Sequence, residues 1–438
     1  MSASSIGILG IVVMIVLFLA RMPVSYAMTL VGVVGFATVA SLTGGLNLVA
    51  KDFYEIFSAE SLTTIPLFVL MGQIAFNAGI SGKLYRAAYR FLGHTRGGLA
   101  IATTVSCTAF GTVCGSSPAT AATMATVALP EMRQRGYSDT MATGAVAAGG
   151  GLGMIMPPSV VLIIYGILTE QSIGRLFMAG IIPALLVTVL FIITITIWCH
   201  FAPEAGPAGE VFSWREKLQS LPGVIEPLII FIVVLGSIFR GICTATEAAG
   251  LGVVCILAVS LIRRQLDWPK LIGACYDTMK VSCMIMLLVA GATVFGKFLA
   301  VTRIPYDIAT WIGSFHLHPY LIFSLVLLVY VVGGCFMDSL ALVMLTVPVF
   351  YPLVVGLGFD PIWFGVIIVM VTEMGVILPP VGLNVYVVYG VAQTLPGRTI
   401  TMEEIFKGIF PFALAVLVGI ILMLFFPSIV LFLPEVMR

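Results

Sequence analysis

Charge is scarce in this chain. Only 9% of its 438 residues are Asp, Glu, Lys or Arg, against roughly 25% in soluble domains. The 21 basic and 20 acidic residues nearly cancel to +1, which excludes the electrostatic footprint of a nucleic-acid partner. The four histidines are scattered, with no i, i+4 pair, and the eight cysteines form no CxxC pair. Metal spacing and a dithiol motif are therefore both missing, and the cysteines read as small packing residues. No G-x-S-x-G elbow and no P-loop occurs, which removes the usual hydrolase nucleophile and any ordinary ATP site on the chain itself. GLGFD (356–360) is GxGxD rather than the GxGD of an intramembrane protease, and it falls in a predicted loop.

What is present is apolar. Hydrophobic residues make up 60% of the chain, and uncharged runs such as LLVTVLFIITITIWC (185–199) recur from end to end. Membrane-barrel strands would alternate polar and apolar, so these runs predict helices. The fold expected is an all-α polytopic membrane protein. Residues 7–20 read as a first membrane helix rather than a signal peptide, because MSASSIG carries no basic residue and no cleavage box follows.

A shift of 222 positions lays residues 109–158 on 331–380 without a gap. Gly111 meets Gly333, Pro130 meets Pro352, Gly153 meets Gly375, and Pro157-Pro158 meets Pro379-Pro380. The matches fall on residues that control backbone geometry. Charge then gives the two halves opposite orientation. Loop 81–98 holds Lys83, Arg86, Arg90 and Arg96, whereas its counterpart 305–320 holds no Lys or Arg. Conversely, Arg263, Arg264 and Lys270 match the uncharged 42–48. Basic loops stay cytoplasmic, so equivalent loops lie on opposite sides and the repeat is inverted, as in many secondary transporters.

About ten transmembrane helices are expected, over 5–20, 22–43, 64–80, 140–168, 176–200, 222–240, 246–262, 277–302, 362–392 and 406–434. Segments 99–130 and 321–357 are too long for one span and are interrupted near their middles. Read as two re-entrant hairpins, they put the basic groups of 81–98, 133–135, 215–217, 263–270 and 398–407 on one side and both termini outside. Residues 44–63 and 204–221 are expected as interfacial helices or short arms. Domain boundaries follow at 1–63, 64–200, 201–276 and 277–438. The first and third parts form a scaffold; the second and fourth each carry a hairpin and a broken helix (140–168, 362–392).

Hairpin tips and proline breaks put non-helical backbone at membrane depth, which is tolerated only inside protein or along a cavity. Carbonyls and hydroxyls freed there can coordinate a small hard cation, and exposed N–H groups attract an anion. Each half supplies one tip (Ser116-Ser117; Asp338-Ser339) and one break (GMIMPPS, 153–159; 375–384). Asp338 is a carboxylate inside an apolar hairpin, costing about 2.5–3.5 kcal/mol on insertion scales; ion ligation, proton carriage and a tip-capping hydrogen bond all remain open. Glu373, whose counterpart is Gly151, reads equally as functional or as a buried structural group. Glu247, after the turn CTAT, reads as a helix cap. Arg21, Lys297 and Arg303 read as anchors near membrane boundaries.

The segments GSSPATAATMATVALPEM (115–132), GMIMPPSVVLIIYG (153–166), IGRLFMAGIIPALL (173–186), TATEAAG (244–250) and GVILPPVGLNVYVVYGVA (375–392) resemble one family. It is the large membrane subunit of tripartite ATP-independent periplasmic (TRAP) transporters, within the ion transporter superfamily. The resemblance implies a sodium-driven elevator-type importer of a small organic acid in the bacterial inner membrane. It also implies two partners, a small four-helix membrane subunit and a periplasmic substrate-binding protein, and no cofactor beyond sodium as coupling ion. Carried over by position, it assigns one sodium site to Ser116 and Ser117 with the break from Gly153 to Pro157. A second goes to Asp338 and Ser339 with the break from Gly375 to Pro379, and the solute lies near Ser159, Pro380 and Asn384. Two departures stand out: Leu378 where the family commonly has Thr, and Pro118 after the serines of the first tip.

Competing readings make different demands. A stand-alone sodium/dicarboxylate carrier or sodium/proton antiporter of the same superfamily would need no binding protein. A channel would show flux above about 10⁶ per second, beyond ordinary enzyme-like turnover. An intramembrane hydrolase needs a nucleophile–base pair, and none is visible in the sequence.

Overall fold

The computed structural model describes residues 2–304, 306–307, 310, 318–396 and 399–437. The loop expected over 305–320 falls largely outside them, as do His316 and Arg398. Among the described residues the regular structure is helical throughout.

Four helices open the chain: α1 (Ala3–Leu19), α2 (Val24–Val39), α3 (Leu42–Ser58) and α4 (Thr64–Asn77). The segment over 44–63 is thus mostly helix, meeting its successor at a bend of 56°. Next come α5 (Ile80–Leu92), the pair α6 (Gly98–Cys114) and α7 (Ser117–Gln134), then α8 (Asp139–Ile155), α9 (Val160–Thr169) and α10 (Ile173–Phe201). The middle holds α11 (Trp214–Ser220), α12 (Pro222–Phe239), α13 (Ala245–Ile262) and α14 (Trp268–Val301). The last third holds the pair α15 (Pro319–Gly334) and α16 (Ser339–Gly356), then α17 (Pro361–Ile377), α18 (Leu383–Gln393), α19 (Met402–Phe425) and α20 (Ser428–Val436).

By length and composition, seven of the described helices can cross a membrane, or eight if the bent pair counts as one span. About ten were expected. The shortfall is one of length: α1 and α17 hold 17 residues each and α2 holds 16, about 25 Å at 1.5 Å per residue, below the ~30 Å hydrocarbon core. Conversely α16, expected as the returning arm of a re-entrant hairpin, has the length and composition of a span. Two further differences have local causes. Residues 81–92, expected as a basic loop, form the amphipathic α5, which buries Leu84, Tyr85, Ala87 and Tyr89 and leaves Arg86 exposed. And α14 starts at Trp268 rather than near 277, because the Asp267 carboxylate accepts from the Lys270 amide and Pro269 fits the first turn.

Capping chemistry sets other boundaries. Thr244 and Glu247 form a capping box at the start of α13, as expected for Glu247. Asp360, the acid of GLGFD, accepts from the amides of Ile362 and Trp363 at the start of α17.

The centre of the molecule is the pair α8 and α17. From Met141 to Ile155 and from Ile362 to Ile377, every residue is buried. Each packs against its own preceding hairpin, α8 on α6 and α7, and α17 on α15 and α16. The hairpins also cross over, α7 packing on α18 and α16 on α9. Glycines permit this closeness: a Cβ on Gly111 would lie 2.7 Å from Cα of Gly153, and one on Gly375 would lie 2.6 Å from Cα of Gly334.

Helix α4 lies against α13 and α14, and α14 runs along α2. Lys297 on α14 is paired with fully buried Asp52 on α3, so it does more than anchor a membrane boundary. Four of the eight cysteines are buried, whereas Cys275 and Cys283 are exposed.

Candidate functional site

The first tip is made by Gly115 in the left-handed region (φ 63°), closing α6. No side chain fits there: a Cβ would lie 2.4 Å from the carbonyl oxygen of Pro158. The Gly115 carbonyl in turn accepts from the Val160 amide at 3.4 Å, so tip and break are stitched together. Ser116 is extended and leads into α7, and Pro118 occupies its first turn, where the ring removes no helical hydrogen bond.

The hydroxyl of Ser117 is buried in a network that joins four helices, α7, α8, α17 and α18. It accepts from Nδ2 of Asn384 at 2.8 Å and stands 3.5 Å from Oε1 of Glu373. Nδ2 of Asn384 also donates to the Ala147 carbonyl at 3.1 Å. Glu373 is 2% exposed, and its Oε2 has no hydrogen-bond partner among the described residues. Its carboxyl fills the space beside Gly151, where a Cβ would meet Oε1 at 1.5 Å. A buried carboxyl with one oxygen unsatisfied is costly unless a proton or cation completes it. Nearby, the buried hydroxyl of Thr120 also lacks a partner among the described residues.

The first break, Met156 to Ser159, is buried throughout, and its Pro157–Pro158 bond is cis. Ser159 spends its hydroxyl as the cap of α9, accepting from the Leu162 amide at 3.4 Å. The second break begins at Leu378, whose amide donates to the Gly375 carbonyl at 3.0 Å. Pro379–Pro380 is likewise cis but exposed, and Gly382 (φ 64°) turns the chain into α18. At the second tip Asp338 caps α16, its carboxylate accepting from the Leu340 amide at 3.1 Å.

A cavity of about 440 Å³ joins the tips. Ser116, Ser117, Asp338 and Ser339 all border it, with Met154, Val160 and Val376 from beside the breaks. Gly153, Pro157, Ser159, Gly375, Pro379, Pro380 and Asn384 are not among the residues that line it. Gln73 of α4, Thr123 of α7 and Asp277 of α14 complete the polar lining, and sequence reasoning missed all three. Asp277 repeats at i, i+4 and i+8 with Val281 and Ile285 on one face of α14, a pattern legible only once α14 is known to start before it. Thr120 carried a signal, one helical turn beyond Ser116 on the tip's own helix. Two carboxylates and no Lys, Arg or His line this cavity among the described residues. Such a lining favours cations.

The family model described as the tripartite ATP-independent periplasmic transporter, DctM component, matches residues 11–429. The C4-dicarboxylate TRAP transporter large permease protein DctM of Pseudomonas aeruginosa is 34% identical over 390 residues, covering 88% of this chain and 89% of that one. The sialic acid TRAP transporter large permease protein SiaM of Vibrio cholerae is 30% identical over 425 residues, covering 96% of each. The solved structure of the Alcanivorax borkumensis YdaH transporter aligns with a TM-score of 0.62 at 15% identity, over 89% of this chain and 90% of that one. At that identity the likeness speaks for the fold alone.

Proposed function

Because this chain belongs to the family of DctM components of tripartite ATP-independent periplasmic transporters, we propose that it is the translocating subunit of a sodium-coupled importer of a small organic acid. Its relatives are transporter permeases rather than enzymes, and the chain is a multi-pass membrane protein. The bacterial inner membrane is its proposed site, with both termini periplasmic. Its proposed partners are a small four-helix membrane subunit and a periplasmic binding protein that delivers the solute.

The observation that carries this reading is the shared cavity. Both tips border one space lined by Asp277 and Asp338 and by no basic side chain among the described residues. A carboxylate entering such a space is repelled unless cations enter with it, which is the physical content of symport. Sodium, as co-substrate, is placed at Ser116-Ser117 with the carbonyls of 153–157, and at Asp338-Ser339 with those of 375–379. The solute, in this proposal, lies between the tips, near Ser159, Pro380 and Asn384. Relatives named for C4-dicarboxylates and for sialic acid support the class of substrate without choosing within it.

We place the inverted repeat and the elevator movement here as well. The moving body is formed by α6 to α10 and α15 to α20, and α1 to α4 with α12 to α14 stay fixed. The packing of α4 on α13 and α14, and of α14 on α2, supports that division.

Reconstitution with the small subunit and the binding protein tests the proposal, with uptake measured against imposed sodium, proton and voltage gradients. Sodium-driven uptake is expected, and uptake indifferent to sodium overturns the coupling. Uptake by this chain alone would make it a stand-alone carrier of the same superfamily.

A further inference from the structure

A second cavity, of about 280 Å³, lies away from the tips, where α5 meets the start of α12 and the end of α13. Lys83, Arg86 and Arg90 line it from α5, at i, i+3 and i+7 on one helical face. Arg263 reaches it from the end of α13, and the one acid among the lining residues is Glu226 of α12. Four cations against one carboxylate leave a local charge of +3.

Glu226 pairs closely with Arg263 and only loosely with Lys83. Its Oε1 is 2.5 Å from Arg263, but Oε2 is 3.9 Å from the Lys83 ammonium, beyond hydrogen-bond reach. Arg90 donates to the Glu216 carbonyl at 3.1 Å. Arg86 is exposed and has no ion-pair or hydrogen-bond partner among the described residues. The donors of Lys83 and Arg86 are therefore unspent. Partial burial holds the Lys83 ammonium below the usual lysine range; Glu226 opposes this, and Arg263 and Arg86 add repulsion. A bound anion would relieve that crowding.

The surroundings decide which anion. Helices α12 and α13 leave this pocket with only 22% and 28% of their apolar windows buried, against 50% or more for the other five candidate spans. Ile225, Leu228 and Ile229 beside the start of α12, and Leu261 and Ile262 beside the end of α13, are all exposed. An inorganic ion has no use for an apolar shelf beside its charges, whereas an amphiphile fills both. We propose that the pocket binds the phosphodiester headgroup of an anionic phospholipid, with its acyl chains along α12 and α13. Because α5 packs on α6 and α7 as well as on α12, the headgroup sits where the arm carrying the first tip meets the scaffold helices.

The test uses the full chain in nanodiscs of phosphatidylcholine, alone or with phosphatidylglycerol added, read by native mass spectrometry and thermal unfolding. Phosphatidylglycerol is expected to be retained and to raise the unfolding temperature. Arg86→Gln, an exposed change that should leave folding intact, weakens retention about fivefold. Glu226→Gln, which removes the one competing anion, strengthens it. Opposite signs from two changes in one pocket would not arise from a structural defect. Equal retention of the two lipids, or retention unmoved by either change, overturns the proposal. Protection by inorganic phosphate but not by phosphatidylglycerol would assign the pocket to a soluble anion and overturn the lipid assignment. Loss of phosphatidylglycerol whenever a small membrane subunit copurifies would assign the surface to a protein partner instead.

Discussion

Pro157 and Pro158 are buried, whereas Pro379 and Pro380, 222 positions later in the chain, are exposed. The dipeptide and its cis bond are the same in both places, so the difference comes from the neighbours. Gly115 presses on Pro158 from the first tip, and Gly180 of α10 lets that helix approach Ile155 and Pro157. The second tip has Met337 where the first has Gly115, and it cannot close on its break in the same way. A break of the same local form can thus serve as a closed wall in one half and an open one in the other. The two proposed sodium sites differ in this structure at their breaks: the prolines of the first are buried, and those of the second are exposed.

Thiol labelling gives the largest contrast. Pro380→Cys is expected to react readily with a maleimide and Ser159→Cys not at all; similar labelling of both would erase the asymmetry. Next in size is Gly115→Ala. A Cβ in the left-handed region costs about 1–2 kcal/mol, and the collision with the Pro158 carbonyl adds about as much again. Thermal unfolding should show a loss of about 3 kcal/mol, whereas Met337→Ala, at the counterpart position, should be mild. Gly151→Ala collides with the Glu373 carboxyl and should cost about 2 kcal/mol. Adding Glu373→Ala should recover part of that loss in a double-mutant cycle, and strict additivity would refute the contact. The smallest contrast lies between the tips themselves. Ser117→Ala strips Asn384 and Glu373 of a shared partner and should cost about 1–3 kcal/mol. Ser339→Ala, whose hydroxyl makes no bond among the described residues, should stay within about 0.5 kcal/mol.

Much of this was legible in the sequence, because glycine and proline announce their backbone needs locally. Both hairpins, both breaks and the Glu247 cap could be placed from such residues and their spacing. What stayed hidden depended on contacts between distant positions. Ser117 reaches Glu373 and Asn384 across 256 and 267 residues, and no local pattern signals that meeting. Asp52 lies in the segment expected as an interfacial arm, and only the packing of α14 brings Lys297 beside it. Helix α5 was read as a loop because its basic residues outweighed the apolar stripe they flank. The span count came out high because hydropathy marks where a segment is apolar and says less about where its helix stops.

The crossing of α8 and α17 offers room for one carboxyl group, and Glu373 occupies it at the expense of any side chain at Gly151. Two positions related by the 222-residue shift compete for a single berth, so whichever helix holds the acid obliges the other to be bare. Trading the tenants, Gly151→Glu together with Glu373→Gly, should therefore be tolerated far better than either change alone. It would also change allegiance: Ser339 is the counterpart of Ser117, so the acid would serve the second tip instead of the first. Unfolding of the traded protein should then become sensitive to Ser339→Ala and indifferent to Ser117→Ala, a reversal of handedness achieved with two residues.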